Sequence, residues 1–213
     1  MFYRDPGHTY HVAEWDAFPW LLHGFGTRHC DLPERFAHLA TVKQIHSAEC
    51  VAAEGRRGVL GEGDALVENA PGSVIAVKTA DCVPILLVDE RRRAVAAVHA
   101  GWRGTAARIV EHAVEKMHRT FGTEPGDLHA AIGPAIGACC YEVGPEVREQ
   151  FGGQGRGRLD LTAHNALQLE NCGVTRSRIH ASNLCTMCGG EEFHSFRRDR
   201  EAAGRMYSYV GVK

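Results

Sequence analysis

No stretch of this sequence approaches the roughly 20 consecutive apolar residues that would cross a bilayer. Its first residues, Met1-Phe2-Tyr3-Arg4-Asp5-Pro6, lack the charged-then-apolar order of a secretory signal, so we expect no membrane partner and a cytoplasmic location. An excess of one charge sign is also lacking. The formal net charge is -2, and the Lys and Arg residues are scattered rather than gathered into one basic face, which argues against nucleic acid as a partner. The run Arg91-Arg92-Arg93 reads as a solvated turn between two strands. No heptad and no internal repeat is present, so coiled-coil and solenoid architectures are set aside.

What remains is ordinary globular composition, 44% hydrophobic and 23% charged over 213 residues, enough for one substantial core. Residues 1–213 are read as a single domain. Apolar, β-branched runs at 74–77, 84–88, 94–98, 128–132 and 206–210 are expected strands. Residues 105–121 place Ile109, Val110, Ala113, Val114 and Met117 at helical spacing. Residues 162–172 form a second helix candidate, with Gly173 as its stop. Strands and helices mix without regular alternation, which favours an α+β fold. The glycine-rich segment 151–158 reads as a surface loop.

The unusual feature is 13 His and eight Cys. In a reducing compartment, and in a chain this long, a disulfide framework is not expected, which leaves some of these residues for chemistry. Three segments each present a potential ligand at a strand end or turn: 42–46 with His46, 78–82 with Cys82, and 97–104 with His99. One thiolate and two imidazoles suit zinc and leave a fourth position open for water or substrate. The same residues could equally be a metal-free Cys–His nucleophile pair, or a buried Cys with two hydrogen-bonded His. Asp81 and Asp64 are each candidates for orienting a ligand or moving a proton, and each could instead cap a turn. Arg103, at a strand-to-helix passage, and Arg28 are candidate anion ligands. Adjacent Cys139 and Cys140 would point in opposite directions if extended, so they are read as structural. Cys185-Thr186-Met187-Cys188 has CxxC spacing but no second CxxC and no thioredoxin-like setting.

The segments HGFGTR (23–28), KQIH (43–46), GDALV (63–67), KTADCVPILL (78–87), AVHAGWRGTA (97–106), IGPAIGACCYEVG (132–144), LDLTAHNALQL (159–169), LCT (184–186) and FRRDREAAGRM (196–206) run in order through nearly the whole chain. Together they resemble the laccase-domain family, whose members are known as multicopper polyphenol oxidoreductases and as purine nucleoside phosphorylases. The resemblance implies two packed mixed sheets flanked by helices in one domain, with His46, Cys82 and His99 as zinc ligands. It also implies phosphorolysis of adenosine, inosine or 5′-methylthioadenosine, together with adenosine deamination. Gln44, Arg28 and Arg103 are then the expected substrate and phosphate contacts, and Asp81 the expected proton carrier. Copper could occupy the same ligands. Copper oxidation of phenols ranks lower, because a multicopper oxidase uses compact paired His motifs and this sequence has no HxH. A cysteine hydrolase acting on a peptidoglycan precursor, or a non-catalytic binding module, would use the same residues differently. After Arg28 the chain runs through His29-Cys30-Asp31-Leu32-Pro33 without the glycine-rich turn of many relatives, where substrate preference is most exposed to change.

Overall fold

The runs at Val83–Asp89 and Ala94–Ala100 are apolar throughout rather than alternating, because the strands they form are covered on both faces. In a computed structural model, which describes residues 1–30, 36 and 38–213, these two strands pair antiparallel at the centre of a six-stranded sheet. The departure from relatives noted at 29–33 falls largely outside the described residues. Successive side chains of a strand face opposite ways. Val83, Ile85 and Leu87 therefore pack on helices, whereas Leu86 and Val88 pack on a second sheet through Phe25, Ile75 and Val77.

That second sheet has seven strands in the spatial order Phe2–Arg4, Thr9–Val12, Leu21–Gly26, Met206–Val212, Val74–Thr79, Leu39–Lys43 and Gly58–Glu62. Leu39–Lys43 runs parallel to both of its neighbours, and the other pairs are antiparallel. In the six-stranded sheet the order is Ile179–Ala181, Leu128–Ile132, Val83–Asp89, Ala94–Ala100, Ala65–Glu68 and Cys50–Ala52, with parallel pairs only at its two edges. The expected single α+β domain with two packed mixed sheets is what forms, with five α-helices among the described residues. All five expected strands are present, and the solvated turn at 90–93 joins two of them. No helix among the described residues is long and apolar enough to cross a membrane.

The expected helix at 105–121 is two helices, Trp102–Ala106 and Ile109–Phe121. Arg108 between them takes a left-handed conformation with φ 61°. At the break the Thr105 carbonyl accepts from the Arg108 N–H at 3.0 Å, a tight i+3 bond, and from the Gln168 side-chain amide at 2.9 Å. Within Ile109–Phe121 the buried residues are Ile109, Val110, Ala113, Val114 and Met117, the face expected from spacing. The second helix is Leu161–Asn171, capped by Asp160, whose carboxylate accepts from the Ala163 N–H at 2.9 Å. Gly173, at φ 99°, turns the chain away as expected. In the loop at 151–158, Gly157–Arg158 adds a two-residue ladder with Glu142–Val143.

Candidate metal centre and its cavity

His46 follows the strand Leu39–Lys43, Cys82 opens the turn into Val83–Asp89, and His99 sits near the end of Ala94–Ala100. Packing the two sheets brings these strand ends together. One ligand atom from each of the three residues lies within 4.8 Å of the other two. The His46 and His99 rings meet edge-on, with centroids 4.9 Å apart. His99 is buried, Cys82 half-buried and His46 exposed, so the cluster is reachable from one side.

Asp64 organises this arrangement. Fully buried, it accepts from His99 Nδ1 at 2.8 Å and from the N–H groups of His46 at 3.0 Å and Ser47 at 2.6 Å, with the Ser47 hydroxyl at 2.8 Å. Burial opposes its ionisation, but the bonds from His99 and Ser47 outweigh it and hold the carboxyl well below the usual carboxylate range. The anion keeps the proton of His99 on Nδ1 and turns Nε2 toward Cys82, as carboxylates behind metal-binding imidazoles do. The same bonds hold His46 at φ 59°, a backbone conformation few non-glycine residues adopt. Of the two acidic candidates, Asp64 is the one that orients the two histidines.

Asp81 is placed differently. Its Oδ1 accepts from the Thr186 hydroxyl at 2.6 Å, and its Oδ2 accepts from the Ser195 hydroxyl at 3.0 Å and the Arg197 N–H at 2.6 Å. With φ 85° and both oxygens committed, it ties the turn before Cys82 to the 186–197 region. Those bonds hold the expected proton carrier at the cavity's edge.

Burial disfavours the Cys82 thiolate, but hydrogen bonds and charge from His46 and His99 bring its pKa down to about 6. Burial likewise opposes protonation of His99, yet Asp64 and Cys82 raise it to about 9. The two shifts favour the thiolate of Cys82 and the protonated form of His99, so metal uptake would release a proton. The donor set fits a soft divalent ion. Gly101 provides further evidence, because a Cβ there would lie 3.0 Å from Cys82 Sγ and 3.1 Å from His46 Cδ2 and would fill the cradle.

A cavity of about 630 Å³ opens over the cluster. Arg103, Arg197, Arg200 and Arg205 reach it with Lys43 and Lys78, and Trp102, Tyr141 and Phe196 contribute aromatic faces. Arg103 stacks over Trp102 at 4.4 Å from the ring centroid, and Arg197 over Tyr141 at 5.1 Å. Gln44 also borders the cavity. Its amide, however, is spent on the Lys78 backbone, donating to the carbonyl and accepting from the N–H, both at 2.8 Å. Arg28 is not among the cavity residues; it is exposed and donates to the Gly190 carbonyl at 2.7 Å. Of the two candidate phosphate contacts, Arg103 lines this cavity and Arg28 does not. Sequence spacing could not bring the distant Arg197, Arg200 and Arg205 to this place, although all three lie in the family-like segment 196–206.

The family model described as multi-copper polyphenol oxidoreductase laccase matches residues 27–213. The chain belongs to this laccase family. A purine nucleoside phosphorylase of Clostridium acetobutylicum is 38% identical over 177 residues, covering 79% of this chain and 75% of that one. A protein named adenosine deaminase RL5, from an unknown prokaryotic organism, is 41% identical over 161 residues, covering 69% of this chain and 61% of its own. Among solved structures, the hypothetical protein YfiH of Bacillus licheniformis superposes with a TM-score of 0.91 at 28% identity, covering 100% of this chain and 99% of that one. YlmD of Geobacillus stearothermophilus gives 0.90 at 27%, with 100% and 98% covered. Laccase-family relatives thus carry names for purine chemistry, and the likeness to solved folds extends over the whole chain.

Proposed function

We propose that this laccase-family chain is a zinc-dependent purine nucleoside phosphorylase acting on adenosine, inosine or 5′-methylthioadenosine, with adenosine deamination as a second reaction at the same centre. The observation that carries the reading is the three-donor cluster at the base of an arginine-ringed cavity large enough for a nucleoside and an anion. The names of the relatives support it.

His46, Cys82 and His99 are the residues that would hold zinc, and copper(II) would be accepted by the same donors. When bound, the ion supplies a Lewis acid with one position left for water or substrate. The protein supplies the rest. Asp64 keeps His99 in the ligating orientation. Arg103 and Arg197, stacked on Trp102 and Tyr141, are pre-oriented to hold phosphate, whose charge they offset. In phosphorolysis a phosphate oxygen bonds to ribose C1′ as the C1′–N9 bond breaks, and the electron pair and a proton go to the purine. Tyr141 suits the purine end, because burial pushes its hydroxyl up to about 12 and keeps its proton available for a hydrogen bond at neutral pH. Deamination exchanges the C6 amino group for the oxygen of water and releases ammonia.

A metal-free cysteine hydrolase has one observation in its favour, the thiolate-prone Cys82 beside two imidazoles. Phenol oxidation rests on the family description alone. Product analysis with adenosine separates these readings, run with and without phosphate on zinc-loaded protein and on a Cys82→Ala variant. We expect phosphate-dependent adenine and ribose 1-phosphate, with inosine as a second product, all lost in the variant. Adenosine left unchanged above the variant's background would overturn the purine reading. Chelator-resistant activity that is blocked by Cys82 alkylation would favour the hydrolase.

A further inference from the structure

Four cysteines that the proposed reaction does not use come together at the other end of the turn-rich region. Cys139 and Cys140 are not extended. They lie in a tight turn in which the N–H groups of Cys140 and Tyr141 both reach the Gly137 carbonyl, at 2.9 and 3.0 Å. Curling the chain brings both thiols to one side, so the opposite directions expected of an extended pair do not apply here. Across from them is the CxxC segment. The sulfur atoms of Cys139, Cys140, Cys185 and Cys188 all lie within 4.8 Å of one another, with Cys188 3.4 Å from Cys140 and 3.7 Å from Cys139.

A zinc ion about 2.3 Å from each of four thiolates sets sulfur–sulfur edges of about 3.8 Å, which is the spacing approached here. A disulfide would need about 2.05 Å and would leave two thiols over. Two backbone N–H groups converge on one of the sulfurs. The Gly137 N–H points at Cys185 Sγ at 3.3 Å, and the Cys188 N–H is directed at the same sulfur. At Gly137 a Cβ would stand 3.2 Å from Cys139 Sγ and 3.6 Å from Cys185 Sγ, so a bare backbone is what allows the approach. Arg198, itself paired with Asp199, donates to the carbonyls of Thr186 and Met187 at 3.1 and 3.3 Å and so fixes the CxxC turn.

We propose that Cys139, Cys140, Cys185 and Cys188 form a second, closed zinc site that staples the 133–141 and 182–189 segments beside the cavity. Four sulfur ligands leave no position for substrate, so the ion is structural. The two segments already touch through Ala135 N–H to Leu184 O at 3.2 Å and Thr186 N–H to Ala135 O at 3.0 Å. From them the Ile136 N–H and the Thr186 hydroxyl bind Asp81, and Tyr141 borders the cavity, so the staple holds one wall of the candidate active site.

The test counts metal in protein purified under reducing conditions and loaded with zinc, and reads the ligand set by cobalt substitution. We expect two zinc ions per wild-type chain and one each for Cys82→Ala and Cys188→Ser. Cobalt-loaded Cys82→Ala should show the intense thiolate-to-metal absorption of an all-sulfur tetrahedral site. A single ion lost with Cys82→Ala and kept by Cys188→Ser overturns the proposal. So does a cobalt-loaded Cys82→Ala chain without thiolate bands, a readout that stands even if Cys188→Ser fails to fold. A Cys140–Cys188 disulfide in the reduced, zinc-exposed protein also overturns it. One ion kept by Cys82→Ala and lost with Cys188→Ser upholds the closed site and counts against the open one.

Discussion

Two sulfur-bearing clusters sit on either side of the turn that contains Asp81, and they are built on different plans. At His46, Cys82 and His99 the ligands come from the ends of strands in two packed sheets, an anionic carboxylate locks one imidazole, and one side faces a cavity. At Cys139, Cys140, Cys185 and Cys188 the ligands come from two irregular segments, the partners are backbone N–H groups, and the four sulfurs face one another. A tetrahedral ion on the first plan would keep one coordination position free, and on the second it would use all four. An open set suits chemistry, and a closed set suits holding loops whose own apolar packing is slight.

Substitutions can break this contrast. The largest effect is expected from Gly101→Ala. Its backbone, at φ -73° and ψ 175°, accepts alanine without strain, so the fold should persist while the new methyl invades the cradle of Cys82 and His46. We expect phosphorolysis to fall on the order of 100-fold with an unchanged thermal midpoint, a displacement of ligands by about an ångström being enough. Steady-state kinetics beside a melting curve checks it.

Asp64→Asn is expected to weaken zinc at the open site by about 10- to 100-fold, through loss of the anion that orients His99. Competition with a chelator of known affinity measures this, and equal loss at the four-cysteine cluster would contradict the separate plans. Chelating zinc from Cys82→Ala removes only the closed-site ion. If that ion is held at about 100 times its dissociation constant, its removal costs about 2.7 kcal/mol, or about 5–10 °C in thermal midpoint for a chain of this size. Absence of any shift would deny the staple a role in stability.

Met117→Ala is a control far from both clusters. Its side chain is fully buried against the six-stranded sheet, so truncation should cost about 2–5 kcal/mol in urea unfolding while metal counts stay the same. The smallest effect is expected from His23. Burial first, then the positive neighbours His11 and Lys213, lower its pKa to about 3, and its Nε2 accepts from the Val12 N–H at 2.9 Å. The unfolded chain takes up this proton near pH 6.5 and the folded chain does not, so the contribution is complete above about 6.5 and declines as pH falls toward 3. Between pH 7 and 5 wild type should lose about 2 kcal/mol more than His23→Gln, measured by denaturant midpoints.

Much of this molecule can be read from its sequence where local chemistry repeats. The apolar runs at 74–77, 84–88, 94–98, 128–132 and 206–210 are long enough to outweigh local noise, and the face of Ile109–Phe121 follows from helical spacing. Strands such as Thr9–Val12, Cys50–Ala52 and Gly58–Glu62 were not legible, since they are short or lie at sheet edges, and two of them bury little. His99 could be named as a candidate because it follows a recognisable apolar run and Cys82 because it lies between two, whereas His46 was named from a turn-like segment. Their family-like segments did the rest.

Sequence alone therefore determined the α+β class, the main strands, the amphipathic helix and the identity of three candidate ligands, because these depend on residues close together in the chain. Tertiary structure decided which polar groups meet. It chose Asp64 over Asp81 as the partner of His99, removed Arg28 from the cavity and brought in Arg197, Arg200 and Arg205. It also gathered four cysteines nearly fifty residues apart, with Cys185 and Cys188 facing the turn at Cys139 and Cys140. The physical reason is that a side chain's partner across a fold is set by sheet register and loop curvature, which residue identity and spacing do not encode locally.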